Sequence, residues 1–160
     1  MNSDAVVREH LLSLLQGGNA HMTFDDAVED FPVDHMNTVF PNGTYTSWHL
    51  IEHIRRTQED ILDFIRNPDY KNRSWPNDYW PAKDEKATKK TWERTISEFG
   101  KDSKALQKIV KEPKTDLYTK ISHGEGQTIL REILLVADHN AYHIGEFAIM
   151  RQVMGTWGKD

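Results

Sequence analysis

Four stretches of this chain place apolar residues three and four positions apart, and no sustained alternation of period two runs between them. In residues 4–16, Val6, Val7, Leu11, Leu14 and Leu15 share one side. In residues 46–67 the stripe is Leu50, Ile51, Ile54, Ile61, Leu62 and Ile65, with Glu52, Arg55, Arg56, Glu59 and Arg66 on other faces. Residues 84–110 turn Ala87, Trp92, Ile96, Phe99, Ala105, Leu106 and Ile109 inward. Residues 128–154 open with Ile129, Leu130, Ile133, Leu134, Val136 and Ala137. A helix with one apolar stripe must bury it against another element. Four of them in 160 residues predict an all-α, up-down four-helix bundle, forming one domain over residues 1–160.

The punctuation between the stripes predicts short extra helical turns and one long loop. Gly17 and Gly18 suit a helix end, because glycine reaches the left-handed conformation cheaply. Residues 23–30 read as a short helical turn, with Thr23 as N-cap, Asp25 and Asp26 at its positive end, and Pro32 stopping it. Gly100 is expected to weaken the third helix midway, and Pro113 to end it. Residues 68–81 carry Tyr70, Trp75, Tyr79 and Trp80 among prolines and polar residues. So many aromatics argue for order, so the 75–80 segment is expected to be an ordered aromatic loop that walls a pocket, caps the bundle or covers a dimer face.

Charge and cysteine content remove several functions. The net charge is -5 and no basic stripe appears, which excludes nucleic acid as the natural partner. The lysines between Lys83 and Lys114 are interleaved with Asp84, Glu85, Glu93, Glu98, Asp102 and Glu112, as on a solvated face. Without cysteine there is no disulfide, no protein thiolate ligand and no cysteine nucleophile. No secretory signal opens the chain, and no apolar run reaches the roughly 20 residues that span a bilayer. A cytoplasmic protein with no membrane partner is the expectation.

Histidine carries the chemistry. Among the eight histidines, two pairs have the spacing His-x-x-x-His: His49/His53 and His139/His143. Four residues advance a helix by about 400°, so each pair shares a face and both rings can reach one metal ion. Around His139 and His143, the polar residues Asp138, Asn140, Tyr142 and Glu146 follow a helix that is strongly apolar one turn earlier. Buried polar groups need partners, and a metal ion is one. The third ligand must come from another helix, where His53 replaces an aliphatic residue inside the stripe. His49 shares much of that face, and spacing does not separate the two.

The segment Trp48 to Ile54, W-x-x-x-x-H-[IL], followed by Gln58, Glu59 and Asp60, resembles the DinB-like (DinB/YfiT) superfamily. The stretch GEGQTILREILLVADHNAYHIGE, Gly124 to Glu146, is similar to the fourth-helix signature of one branch of it, and GGNAHMTFDDAVEDFP at Gly17–Pro32 extends the likeness. The resemblance implies a four-helix bundle with one divalent ion, nickel or zinc, bound by one histidine of the second long helix and two of the fourth. By position these are His53, His139 and His143. It also implies a homodimer. Many relatives have glutamine where this chain has Glu146.

Characterised members of the superfamily include thiol-dependent S-transferases and a mycothiol-dependent isomerase. The resemblance therefore implies a small-molecule substrate and a low-molecular-weight thiol whose pKa the metal lowers. A metal-dependent hydrolase and a non-catalytic metal-binding stress-response bundle are the alternatives. Glu146 and His49 are the candidates for catalytic work. Glu52, Asp138 and Glu146 are the carboxylates that could orient an imidazole, and His35 and His123 could carry protons from connecting segments.

Overall fold

The computed structural model describes residues 3–158. Its helices are α1 (Ser3–Gln16), α2 (Phe24–Val28), α3 (Ser47–Arg66), α4 (Lys89–Lys111) and α5 (Ile129–Met154), with a 3-10 turn at Val33–His35. Among the described residues no strand forms; Val39 and Thr46, and Lys120 and Thr128, make only isolated bridges. The all-α bundle expected from the sequence is the fold. The long helices α1, α3, α4 and α5 form it: α3 packs on α4 and α5, and α1 packs on the same two from the far side.

Helix directions do not simply alternate. The Trp48 indole N–H donates to Thr95 Oγ1 at 3.4 Å and the Gln58 amide to the Phe99 carbonyl at 2.9 Å, so α3 and α4 advance together. Ser47 meets Met154, while Gln58 meets Asn140, so α5 runs against α3. Arg8, early in α1, donates to the carbonyls of Val110 and Thr115, so α1 runs against α4. The order is up, down, down, up. The connection from α3 to α4 is what permits it, because it is long enough to carry the chain back along the bundle before α4 begins.

Caps set the helix limits. Thr46, Thr88 and Thr128 each accept the N–H of the third residue of their helix, and Gly155 ends α5 at φ 63°. α4 starts at Lys89, not near Asp84 as its apolar pattern predicts. The reason is tertiary: the Asn37 side chain takes both the N–H and the C=O of Ala87, each at 2.8 Å, which holds that residue out of a helix. Gly100 does not interrupt α4.

The core has two parts. Phe24, Phe31, Trp48, Ile51, Trp92, Phe99 and Phe147 lead one; Leu11, Leu62, Leu106, Val110 and Ile133 lead the other. Between them, across the bundle, lie the buried amides of Gln58 and Asn140. The histidines of interest stand at the edge of the first part.

Candidate metal centre

His53 lies in the middle of α3, only 3% exposed, because its position continues the Leu50–Ile54 stripe. His139 and His143 stand one turn apart on α5, the helix that packs antiparallel to it. The three rings meet. Their centroids are 5.0 Å (His53–His139), 4.8 Å (His53–His143) and 4.6 Å (His139–His143) apart. One ligand nitrogen from each lies within 4.8 Å of the others, so the group could hold a metal ion. Nε2 of His53 and Nε2 of His139 lie 3.1 Å apart. Metal–nitrogen distances near 2.0–2.1 Å put neighbouring ligands about 2.9 Å apart at a right angle and about 3.4 Å apart at the tetrahedral angle. The observed separation falls between.

The outward nitrogens decide which lone pairs face the centre. His53 Nδ1 lies 3.1 Å from the Tyr79 carbonyl, which only accepts, so that nitrogen carries the proton and Nε2 is bare. His143 Nδ1 lies 2.7 Å from Glu146 Oε2, an arrangement that likewise leaves Nε2 for the centre. Nδ1 of His139 is buried and has no partner among the described residues.

The aromatic loop forms a roof. Trp80 stacks on His53 with centroids 3.9 Å apart and planes 8° from parallel. The loop is tied to α3 by the Tyr79 hydroxyl on Asp60 (2.8 Å) and by Arg56 donating to the Trp80 carbonyl (3.0 Å). Tyr70 and Arg73 also hold Asp60. Beside the roof Tyr45, Trp80, Pro76, Asn77 and His49 line a cleft of about 580 Å³. Tyr45 donates its hydroxyl to Glu146 Oε1, which joins this cleft to the His143 carboxylate partner. Burial pushes the Glu146 carboxyl above its ordinary range.

The other histidines and acids named from the sequence lie elsewhere. His49 lines the cleft, but Nδ1 accepts the Thr46 N–H in a capping box and Nε2 meets the Glu85 carbonyl at 2.9 Å. It is not in the three-ring group. Glu52 is buried, yet its partners are Arg55, Arg56 and Thr95. Asp138 and Tyr142 are exposed. His123 bonds to the Phe64 carbonyl, away from the group, and His35 lies in the 3-10 turn. Sequence reasoning missed Tyr45, the Tyr79 carbonyl and the stacking of Trp80; none of these has a local signal, since each meets its partner through the tertiary fold.

A set of three imidazoles suits a divalent transition-metal ion. Burial holds all three rings neutral, as ligands must be. His53 is lowered to about 4, by burial first and by His139 nearby, against the Tyr79 carbonyl. His143 is lowered to about 3 by burial, His139 and His53, and His139 is lowered by burial.

A pH dependence follows for the metal-free fold. An unfolded histidine takes up its proton near pH 6.5, and the His53 and His143 rings refuse it until about 4 or below. Between those values the unfolded chain binds more protons, so stability falls as pH falls. The stabilisation is complete above about pH 6.5 and is lost progressively toward about 4. Unfolding free energies of metal-free protein, from urea titrations at about pH 7.5 and about pH 5, should differ by up to ~2 kcal/mol for each of His53 and His143, the midpoint lying at higher urea at pH 7.5. Equal midpoints would show that the rings are not buried together.

A family model described as the DinB superfamily matches residues 16–147, a span that encloses all three histidines, Glu146 and the aromatic loop. No curated protein and no solved structure matches the chain. The matched span is most of the molecule, from the end of α1 well into α5, and it carries the helices that bring the three imidazoles together. The chain belongs to the DinB superfamily.

Proposed function

We propose that this protein is a metal-dependent enzyme that joins a low-molecular-weight thiol to a small electrophilic substrate, with His53, His139 and His143 as ligands of one nickel or zinc ion. The observation that carries the reading is the convergence of three neutral imidazoles, two of them with Nδ1 held from outside so that Nε2 turns inward. Three protein ligands leave a tetrahedral or larger sphere open. An ion there supplies a positive centre that lowers the pKa of a thiol or a water molecule.

The chain's own groups have distinct tasks in this reading. Trp80 covers His53 and keeps water from that side of the centre. Glu146 fixes His143 through Oε2 and receives the Tyr45 hydroxyl on Oε1. Its raised pKa suits a group that takes a proton from an arriving thiol and passes it on. The neighbouring cleft, lined by Tyr45, Trp80 and Pro76, offers apolar walls for the substrate. His49, whose nitrogens are both engaged, serves as a wall and a cap there.

A homodimer and a cytoplasmic setting belong to the same reading. Leu134, Tyr142, Ile149 and Val153 stand exposed on α5, an apolar face of the kind that partners cover. None of the described helices is long and apolar enough to cross a membrane.

The test is conjugation of monobromobimane to cysteine, glutathione or a sugar thiol by protein loaded with zinc or nickel. Loaded protein should accelerate the reaction at least ten-fold over metal-free protein with one of the thiols, roughly 1.4 kcal/mol of barrier. Turnover of an ester or amide panel that ignores added thiol would replace this reading with a hydrolase. Inertness in both assays would leave a binding protein.

A further inference from the structure

Two buried amides form a chain that ends beside the one histidine left without outward support. Gln58 is 1% exposed and Asn140 8% exposed. The Phe99 carbonyl accepts a hydrogen bond at 2.9 Å from Gln58, and a carbonyl only accepts, so Gln58 must turn Nε2 toward it. Gln58 Oε1 therefore faces the other way, toward Asn140, and Asn140 must present Nδ2, at 3.0 Å. This leaves Asn140 Oδ1 as the free end. It is buried and has no donor among the described residues. His139 Nδ1, on the neighbouring residue, is buried and equally unpaired.

Leaving both atoms unpaired in the interior is unfavourable, because each has given up its hydrogen bonds to water. Pairing them has a consequence for the centre. If Nδ1 of His139 carries the proton, Nε2 is bare and stands 3.1 Å from the bare Nε2 of His53. Three lone pairs then converge with no proton among them, an arrangement that a bound cation relieves. If instead Nε2 of His139 carries the proton, it donates to His53 and obstructs the place where an ion would sit.

We propose that Asn140 is a positioning residue that accepts the Nδ1 proton of His139, and that the Phe99 carbonyl, acting through Gln58, fixes the direction of this relay. The inference rests on the metal-centre reading above. It assigns to each of the three rings an outward acceptor: Tyr79 for His53, Glu146 for His143, Asn140 for His139. Thr57 Oγ1 is the competing acceptor, since it is also buried and unpaired and lies one turn along α3 from His53.

The experiment compares the full-length wild-type chain with Asn140→Leu, Asn140→Asp and Thr57→Val. Zinc affinity is measured by competition with a chelator, and proton–nitrogen correlation spectra of the zinc-loaded, nitrogen-15-labelled protein follow the His139 Nδ1 proton. Asn140→Leu should weaken zinc binding by roughly 10- to 100-fold and expose that proton to rapid exchange with water. Asn140→Asp keeps an oxygen acceptor in place and should restore both, at a cost in stability where Gln58 Oε1, its amide held by the Phe99 carbonyl, meets the second carboxylate oxygen. Thr57→Val should change neither. Wild-type affinity and a protected proton in Asn140→Leu would overturn the relay while leaving the centre intact. So would the expected losses appearing in Thr57→Val instead. Should Asn140→Leu not fold, loss of the protected proton in Asn140→Asp overturns it. A wild-type chain that binds no zinc overturns the centre and the relay with it.

Discussion

Alanine at His53, His139 or His143 should each lower zinc or nickel affinity by roughly 100- to 1000-fold, while the far-ultraviolet helical signal survives. The size comes from dividing the whole binding energy among its ligands. Structural zinc sites bind with about 10–16 kcal/mol shared over four ligands, or about 3–4 kcal/mol each. The helices persist because their burial does not depend on the rings: the two core clusters are made of aliphatic and aromatic side chains from every long helix. His49→Ala is the informative contrast. It lies one turn from His53 on the same helix and should leave metal affinity near the wild-type value. Its loss removes a helix cap and a contact to the Glu85 carbonyl, so its effect should fall on stability, at about 1 kcal/mol. Full occupancy in both His53→Ala and His139→Ala, with loss in His49→Ala, would reverse the ligand assignment.

That contrast also shows how far the sequence reaches. His139 and His143 could be paired from spacing alone, because one helix carries both and its period is fixed. His49 and His53 have the same spacing, yet only one of them serves the centre. The difference is that Thr46, three residues before His49, turns it into the return half of a capping box, a place where Glu or Gln is the familiar residue. The four stripes gave the bundle for the same reason that the α5 pair was legible: helical periodicity is local. The start of α4 was not legible, because Asn37, fifty residues earlier, takes the backbone of Ala87. Nor was the roof, since the Tyr79 carbonyl reaches His53 across 26 residues of chain and a carbonyl has no residue type to announce it. The parallel course of α3 and α4 depends on how the connection between them returns, which composition does not encode. Glu52 does not serve an imidazole, because Arg55, Arg56 and Thr95 take its oxygens, and those contacts are tertiary or compete locally in a way spacing does not show.

Where Glu52 does point gives the largest stability effect expected of any single carboxylate here: Glu52→Ala should destabilise the protein by about 3–5 kcal/mol. The side chain is 2% exposed and accepts from Arg55 at 2.8 and 2.9 Å, from Arg56 at 2.9 Å and from Thr95 at 2.7 Å. Burial opposes its ionisation, but the hydrogen bonds and charge of Arg55, with Thr95 and Arg56, prevail and hold its pKa below the ordinary value. Alanine would remove that anion and leave two guanidinium groups, 12% and 22% exposed, facing each other beside a cavity. Arg55 would keep Glu59 and Glu98, at 3.2 and 3.6 Å, but both are well exposed and offer little. Melting temperature should fall by roughly 6–20 °C. The loss should also reach the metal centre, because Arg56 joins Glu52 to the Trp80 carbonyl and so to the ring stacked on His53. A double-mutant cycle with Arg55→Met separates the ion pair from the cavity: the pair should couple by at least 1 kcal/mol, within the usual range for side chains in contact. A Glu52→Ala protein that melts within about 2 °C of wild type would mean that the cluster gives back in desolvation all that it gains in attraction, and that α3 and α4 are held together without it.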